Sequence, residues 1–172
     1  MHYLTLFLIA ALLTLLPACE KEPLDTLDEL LPATQEGANT LGCLIDGEVF
    51  YNRGGGFGAQ DITGVYGTIP NERIGIVGHD FSSDLSESIS LLIVNPTAGI
   101  YTPIARFSSY STGVGLEDVN YFIELNAPYS IVIERFDPTE NIISGTFNFT
   151  VVDTLTQDRK VITDGRFDVR YF

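Results

Sequence analysis

The chain contains no tryptophan, a single methionine, two cysteines and two histidines in 172 residues. Positive charge is also scarce: nine Lys and Arg stand against 23 Asp and Glu, which gives a formal net charge of −14. So acidic a chain repels nucleic acid, and its basic residues form no patch, so we expect no nucleic-acid partner. Two histidines favour neither a zinc site nor a Ser-His-Asp relay. We therefore assign no metal, cofactor or catalytic residue.

An apolar segment runs from Leu4 to Leu16 and is too short for a transmembrane helix, which needs about 20 residues. It ends in Leu16-Pro17-Ala18-Cys19, and this ending resembles the lipobox of bacterial lipoproteins. The resemblance implies that residues 1–18 are a lipoprotein signal peptide and that the Cys19 thiol carries a diacylglyceryl group. It also implies an exported protein, lipid-anchored to the outer membrane at its periplasmic or surface-exposed face. A plain secretory signal or an uncleaved short anchor is the alternative.

Removal of residues 1–18 takes away no charged side chain, so the remaining 154 residues (172 − 18) keep the charge of −14. A chain of this length forms one domain with a sizeable core. If Cys19 carries the lipid, Cys43 is the only remaining thiol and no internal disulfide can form. Cys43 lies in an apolar run, residues 41–45, and we predict that it is buried and structural.

Residues 19–40 are predicted to form a lipidated, acidic tether. From residue 20 onward this segment has six acids, one lysine and no aromatic residue, so it cannot bury enough surface to order itself. Four leucines between residues 24 and 31 fall at helical spacing, but so short a helix is marginal alone. The charged residues after Cys19 resemble export signals of surface lipoproteins in Bacteroidetes. We expect a flexible spacer between the membrane and the domain.

From Leu41 onward apolar residues recur with a period of two, which indicates half-buried β-strands. No long segment with a helical period follows residue 40. We predict that residues 41–172 form a single all-β domain, an antiparallel β-sandwich, with a lipocalin-like up-and-down β-barrel as the alternative. The alternation is clearest in three stretches: Val119, Tyr121, Ile123 and Leu125; Phe147, Phe149 and Val151; and Phe167, Val169 and Tyr171.

The sequence after residue 141 predicts a hairpin followed by a second turn. Residues 142–153 form a long strand, residues 154–158 a loop, and residues 160–163 the returning strand. Asp164-Gly165 is the next turn signal, and it leads into a last strand that ties Tyr171 and Phe172 into the sheet. Asp46-Gly47 is a similar turn signal near the start of the domain.

Three stretches of the domain are distinctive. Residues 33–47 read ATQEGANTLGCLIDG, FDP at residues 136–138 leads into ISGTF at 143–147, and ITDGRFD occupies residues 162–168. These stretches resemble a family of uncharacterised Bacteroidetes lipoproteins, a domain of unknown function. The resemblance implies a β-rich exported lipoprotein. It implies no activity, since none is established for that family.

Residues 106–113 are the best candidate for a binding loop, because they combine aromatic anchors, small hydroxyls and a cation. Arg106, Phe107 and Tyr110 are the residues that we expect to contact a ligand. An ordinary connection between strands is the alternative. Residues 54–58 are glycine-rich, but they lack the Lys-Ser/Thr of a phosphate loop and indicate a flexible hairpin loop.

Two further groups of residues carry weaker signals. His79 and Asp80, with Asp84 and Glu87 nearby, are too loosely spaced for zinc or calcium, so we interpret them as a polar turn between strands. Two Asp-Thr-Leu triplets resemble the O-glycosylation pattern of Bacteroidetes, which makes Thr26 and Thr154 candidate acceptors.

These observations favour a lipid-anchored envelope or surface domain that is non-enzymatic and either binds a ligand or has a structural role. Its expected partners are the membrane, through the lipid, and an unknown protein or glycan. A small carboxylate-dependent hydrolase and a lipocalin-like small-molecule carrier are the alternatives. Two convergent acids with perturbed pKa values in a pocket would favour the hydrolase, and a hollow closed barrel would favour the carrier.

Overall fold

All regular structure is β in the residues that the computed structural model describes, which are 30–53, 62–68, 71–81, 86–101, 109–113 and 119–172. This confirms the predicted all-β class. Within these ranges no helix is long and apolar enough to span a membrane. Several predicted features lie outside them: the signal peptide, Cys19, Thr26, residues 54–58, Asp84, Arg106 and Phe107.

Eleven strands are present in the described residues, and every ladder between them is antiparallel. In chain order they are β1 (Thr40–Ile45), β2 (Glu48–Tyr51), β3 (Ile62–Gly67), β4 (Arg73–Asp80), β5 (Ser86–Val94), β6 (Gly99–Tyr101), β7 (Ser109–Gly113), β8 (Val119–Ile123), β9 (Ser130–Asp137), β10 (Ile142–Asp153) and β11 (Arg159–Arg170). They are hydrogen-bonded in the order β2-β1-β11-β10-β8-β7-β5-β4-β3, while β9 pairs with β10 and β6 pairs with β9.

The network divides into two layers at β10. Residues 142–148 of this strand pair with β9, whereas residues 151–153 pair with β8. One layer is therefore β2-β1-β11-β10-β9-β6, and the other is β8-β7-β5-β4-β3. The layers pack as the predicted antiparallel β-sandwich. The terminal strands β2 and β3 form no ladder with each other in the ranges given above, so those residues do not form the alternative closed barrel.

Two pairs of backbone hydrogen bonds join the layers at the ends of the strand order. Arg53, just after β2, exchanges hydrogen bonds of 2.8 and 3.2 Å with the end of β4. Phe172 donates to the Gly64 carbonyl at 3.2 Å and accepts from the Tyr66 N–H at 2.9 Å. Tyr171 is buried. The last two residues are thus tied into the sheet, as predicted.

Side chains from both layers fill the space between them. Cys43 is fully buried, as predicted. In β8, Tyr121 and Ile123 are buried, but Val119 is 38% exposed, and Leu125, two residues after the strand, is 47% exposed. The predicted apolar face is therefore buried only at Tyr121 and Ile123. The core includes Ile74, Ile76, Ile89, Leu91 and Ile93 from one layer, and Leu41, Phe50, Phe147, Phe149, Phe167 and Val169 from the other.

The Asp164-Gly165 dipeptide is a β-bulge, and the prediction of a turn there is wrong. β11 continues through it and stays paired with β1 and β10. Both ladders shift register at this point, because Asp164, at φ 52°, is an extra residue on β11. Asp46-Gly47, with φ values of 52° and 87°, is the predicted two-residue hairpin turn. Pairing with β10 and β1 on either side of the dipeptide continues β11 through it, whereas β1 ends before Asp46-Gly47 and the chain returns as β2.

Residues 30–39, which we call the strap, are ordered on the outer face of the first layer. Leu30 is only 5% exposed and lies over Gly42 of β1. The Nη1 of Arg166 donates to the Leu31 carbonyl at 3.1 Å. The prediction of a flexible tether up to residue 40 is therefore wrong for the strap. That prediction considered only the apolar surface that the segment can bury, whereas hydrogen bonds to β11 fix the strap in place.

Candidate functional site

The strap is held by one carboxylate on the outer face of β11. Asp168 is 1% exposed, and its Oδ2 accepts hydrogen bonds from the Thr34 hydroxyl at 2.6 Å, the Glu36 N–H at 2.9 Å and the Ala38 N–H at 3.1 Å. Its Oδ1 accepts from the Gly37 N–H at 2.8 Å. Burial raises the pKa of Asp168, but these hydrogen bonds together outweigh it, so the pKa lies below its usual value. This carboxylate is anionic, saturated and structural.

Arg170, two residues further along the same face, borders an open groove. Its Nη1 donates to the Glu140 carbonyl at 2.7 Å, and its Nη2 donates to the Glu36 carbonyl at 3.4 Å. These neutral acceptors orient the guanidinium without neutralising its charge. The groove has a volume of about 430 Å³. Its lining residues are Asn39, Ile62, Gly64, Glu140, Asn141, Arg170, Tyr171 and Phe172.

The groove combines several groups that have unused binding capacity. Asn39 and Asn141 both adopt the left-handed conformation, with φ of 57° and 56°, which asparagine tolerates better than most residues. The Asn39 Oδ1 accepts from the Arg170 N–H at 2.9 Å. The side chains of Asn141 and Glu140 make no hydrogen bond to any residue that the structure describes. The Phe172 side chain is 74% exposed. The groove is therefore the candidate binding site.

A second, smaller cleft of about 210 Å³ lies beside the β1–β2 hairpin. Among its lining groups, Asp46 forms an ion pair with Lys160 at 3.0 Å and accepts from the Val161 N–H at 2.8 Å. Burial raises the pKa of Asp46, but these contacts prevail and lower it. Because its charged pair is already engaged, this cleft is a weaker candidate than the groove.

The predicted polar turn at His79 and Asp80 is instead the end of β4, where Asp80 lies opposite Glu87 of β5. Asp80 forms an ion pair with Arg53 at 3.4 Å. The His79 ring stacks on Phe81 with centroids 5.3 Å apart, and burial lowers the pKa of His79. In the part of the chain that the structure describes, no group of three or more His, Cys, Asp or Glu side chains could hold a metal ion.

Part of the predicted binding loop is a strand. Residues 109–113 form β7, and Tyr110 pairs with Ile89 of β5 and Tyr121 of β8. A run of residues with hydroxyl groups is compatible with a loop and also with a strand. Because residues 109–113 pair with β5 on one side and with β8 on the other, they form a strand. Arg106 and Phe107 lie outside the described residues, so Tyr110 is the one predicted ligand contact whose place in the fold is described.

Two further predicted positions have a clear structural setting. Thr154 is exposed in the β10–β11 loop, where it is accessible to modification. This loop is shaped by the neighbouring Asp153 carboxylate, which accepts hydrogen bonds from the Leu155 and Thr156 N–H groups. Burial, with a smaller contribution from Glu87, raises the pKa of the Cys43 thiol, and a buried neutral thiol of this kind is unreactive.

The three distinctive stretches meet in one part of the fold and have structural roles there. Thr34 to Ala38 of the first stretch bind Asp168 of the third. In the second stretch, a Cβ on Gly145 would lie 2.0 Å from the Val132 carbonyl oxygen, so only glycine fits. Of the residues that line the groove, these stretches contain only Asn39. Sequence reasoning missed the groove, although Asp137-Pro138, a dipeptide typical of turns, stands three residues before Asn141.

The carboxyl groups with a resolved pKa shift are all shifted downward, which keeps them anionic. For Asp46 and Asp168, burial acts in the opposite direction and is outweighed. The strongest stabilising contacts of the other three are Arg159 for Glu124, Arg135 for Asp137 and the Thr156 hydroxyl for Asp153.

No model of a protein family matches the chain, and neither a curated protein nor a solved structure matches it.

Proposed function

We propose that the chain is a lipid-anchored domain of the bacterial outer membrane, related to the uncharacterised Bacteroidetes lipoproteins, that acts by binding a ligand and not by catalysis. The observation that carries the binding part is the groove beside Arg170. There an oriented cation adjoins two asparagine side chains, a carboxylate without a partner among the described residues, and an exposed aromatic ring. Concave sites with a few placed polar groups on an apolar lining are typical of ligand binding.

The acids support binding over the hydrolase alternative. A general acid needs a carboxyl pKa raised toward the working pH. The resolved pKa shifts run the other way, and the hydrogen bonds responsible build turns, ion pairs and the strap. Carboxylates used in this manner stabilise the fold. No specific observation favours the carrier alternative, since the space between the layers is filled by side chains.

The anchor is supported by Leu16-Pro17-Ala18-Cys19 and by the path of the strap. The strap fixes the chain on the domain from Leu30 onward. Eleven Cα–Cα steps (30 − 19), with ten residues between them, join Cys19 to Leu30. Fully extended, they reach at most roughly 40 Å. A lipid on Cys19 would therefore keep the domain close to the membrane, and the chain would leave the domain beside β1.

Fractionation of cells that produce Cys19→Ala tests the anchor. We expect the variant to move from the membrane fraction to the soluble envelope fraction, because about 0.8 kcal/mol per buried CH₂ is lost with the acyl chains. Cys43→Ala is the matched control and should stay with the membrane, since Cys43 is buried in the core. A Cys19→Ala protein that fractionates like the wild type would contradict the lipid anchor.

Affinity purification from the envelope of the producing organism tests the binding part. We expect wild-type protein to retain an envelope component that Phe172→Ala, altered only at the exposed rim of the groove, fails to retain. Equal retention by both proteins, or retention by neither, would contradict binding through the groove. Protease treatment of intact cells then distinguishes the surface-exposed from the periplasmic face.

A further inference from the structure

We infer that the groove beside Arg170 takes an uncharged saccharide. The inference rests on the proposed function, because it names the ligand class of the same groove. Three features of the groove support this ligand class: the exposed ring, the mixture of polar groups, and the balance of charge.

The exposed ring matches the apolar face of a sugar. A pyranose presents C–H groups on its faces, and these pack on the negative face of an aromatic ring. The Phe172 side chain is 74% exposed, while its backbone is fixed by hydrogen bonds to Gly64 and Tyr66. The ring is therefore carried on a fixed backbone, which limits the conformational entropy lost when a ligand binds.

The polar groups match the hydroxyls on the edge of a sugar. Each hydroxyl both donates and accepts, so a site for several of them needs donors and acceptors side by side. The side-chain amide of Asn141 provides both, the amide nitrogen of Asn39 and the guanidinium of Arg170 provide donors, and Glu140 provides an acceptor. Two carbonyl groups already orient the guanidinium, so less freedom is lost on binding.

The charges favour a neutral ligand. Among the described side chains that line the groove, Arg170 carries a positive charge and Glu140 a negative one. A charged ligand would leave one of them near a like charge, at a cost in desolvation and repulsion. The chain's net charge of −14 also disfavours the approach of anions. The volume of about 430 Å³ lies within the range of roughly 300–1,000 Å³ that is typical of small-molecule sites.

The test uses the full chain, purified in detergent, on an array of neutral oligosaccharides of hexoses and N-acetylhexosamines, with uronic-acid and sulfated oligosaccharides as the charged set. The strongest neutral ligand is then titrated by calorimetry. We expect Phe172→Ala and Asn141→Gly each to weaken binding about tenfold, which corresponds to about 1.4 kcal/mol. Glycine suits the positive φ of position 141, and both variants should melt within a few degrees of the wild type.

Leu155→Ala is the matched control, because it removes a 91% exposed apolar side chain from the β10–β11 loop, outside the groove. It should bind within twofold of the wild type. Binding restricted to the charged set, binding unchanged in both groove variants, or no binding on the array would each overturn the inference. If no oligosaccharide on the array binds, but the wild type still retains an envelope component that Phe172→Ala does not retain, only the saccharide inference fails and the proposed function stands.

Discussion

Asp168 and Arg170 lie two residues apart on the same face of β11, yet their surroundings differ in kind. Four donors from the strap saturate the Asp168 carboxylate, which is 1% exposed. Among the described residues, the Arg170 guanidinium donates hydrogen bonds to two neutral carbonyls, and it borders a groove whose polar side chains can form further hydrogen bonds. The Asp168 charge is used for folding, because donors of the chain itself satisfy the carboxylate. The Arg170 charge is available for recognition, because its guanidinium is oriented by hydrogen bonds but not neutralised by them.

Truncation after Gly165 should have the largest effect, because it removes both the strap's partner Asp168 and the groove residue Arg170. It removes the second half of β11, and with it Asp168, Arg170 and the core side chains Phe167 and Val169. β1 and β10 would both lose their pairing with these residues. We expect the truncated chain to lose cooperative thermal unfolding, measured by circular dichroism. A soluble, cooperatively folded product would contradict this placement of β11.

Gly165→Ala tests whether the bulge sets which residues face outward. A Cβ at Gly165 would lie 2.5 Å from the Phe147 ring and from its carbonyl oxygen, and the latter cannot move aside. We expect the free energy of unfolding, measured in urea, to fall by about 2–4 kcal/mol. Gly75→Ala is the control, because nothing lies within 4 Å of its new Cβ, and it should change stability by less than about 1 kcal/mol. Equal effects of the two substitutions would refute the close approach at the bulge.

Asp168→Ala tests the saturated side of the comparison directly. It removes the acceptor of four hydrogen bonds, so we expect a loss of about 2–3 kcal/mol in unfolding free energy. Hydrogen exchange of the Glu36, Gly37 and Ala38 amides should become fast in this variant. Asp164→Asn, at an exposed position on the same strand, should leave exchange of the strap unchanged. The role of Asp168 would be disproved by strap amides that stay protected without it.

The pH dependence of stability tests whether the pKa of Asp168 is lowered in the folded state. Because the pKa of Asp168 is lower in the folded state, its stabilisation is complete above the ordinary value of about 3.9. That stabilisation is lost as the pH falls through the lower, folded-state pKa. The same pH dependence of stability is expected from four other carboxyl groups whose pKa is lowered, those of Asp46, Glu124, Asp137 and Asp153. We expect unfolding free energy to fall steeply below about pH 4, and less steeply in Asp168→Asn. Parallel curves for both proteins would argue against a lowered pKa at Asp168.

Arg170→Gln should have the smallest effect on stability. The side chain is exposed and its acceptors are carbonyls that water can satisfy, so we expect a loss below about 1 kcal/mol in urea denaturation. A loss as large as that of Asp168→Ala would remove the distinction between the two positions.

The features that could be predicted from the sequence are those set by neighbours along the chain. Period-two alternation predicted the all-β class and the long strand that β10 forms, and Asp46-Gly47 predicted a hairpin because both positive φ values lie within one dipeptide. The strap could not be predicted, since Thr34 and Ala38 meet their partner Asp168 across 134 and 130 residues of sequence. The groove could not be predicted from the sequence for the same reason. Asn39, Ile62, Asn141 and Phe172 come from separate segments that only the sandwich brings together.

One NMR experiment tests the distinction between the saturated strap and the open groove. Backbone and side-chain amides of the labelled full chain are followed during hydrogen exchange and during titration with the neutral oligosaccharide that binds best on the array. We predict slow exchange and constant shifts for Glu36, Gly37 and Ala38, and shifts that move with ligand for Asn141 and Phe172. Strap amides that exchange as fast as in an unstructured peptide, or ligand-dependent shifts confined to residues outside the groove, would contradict the account.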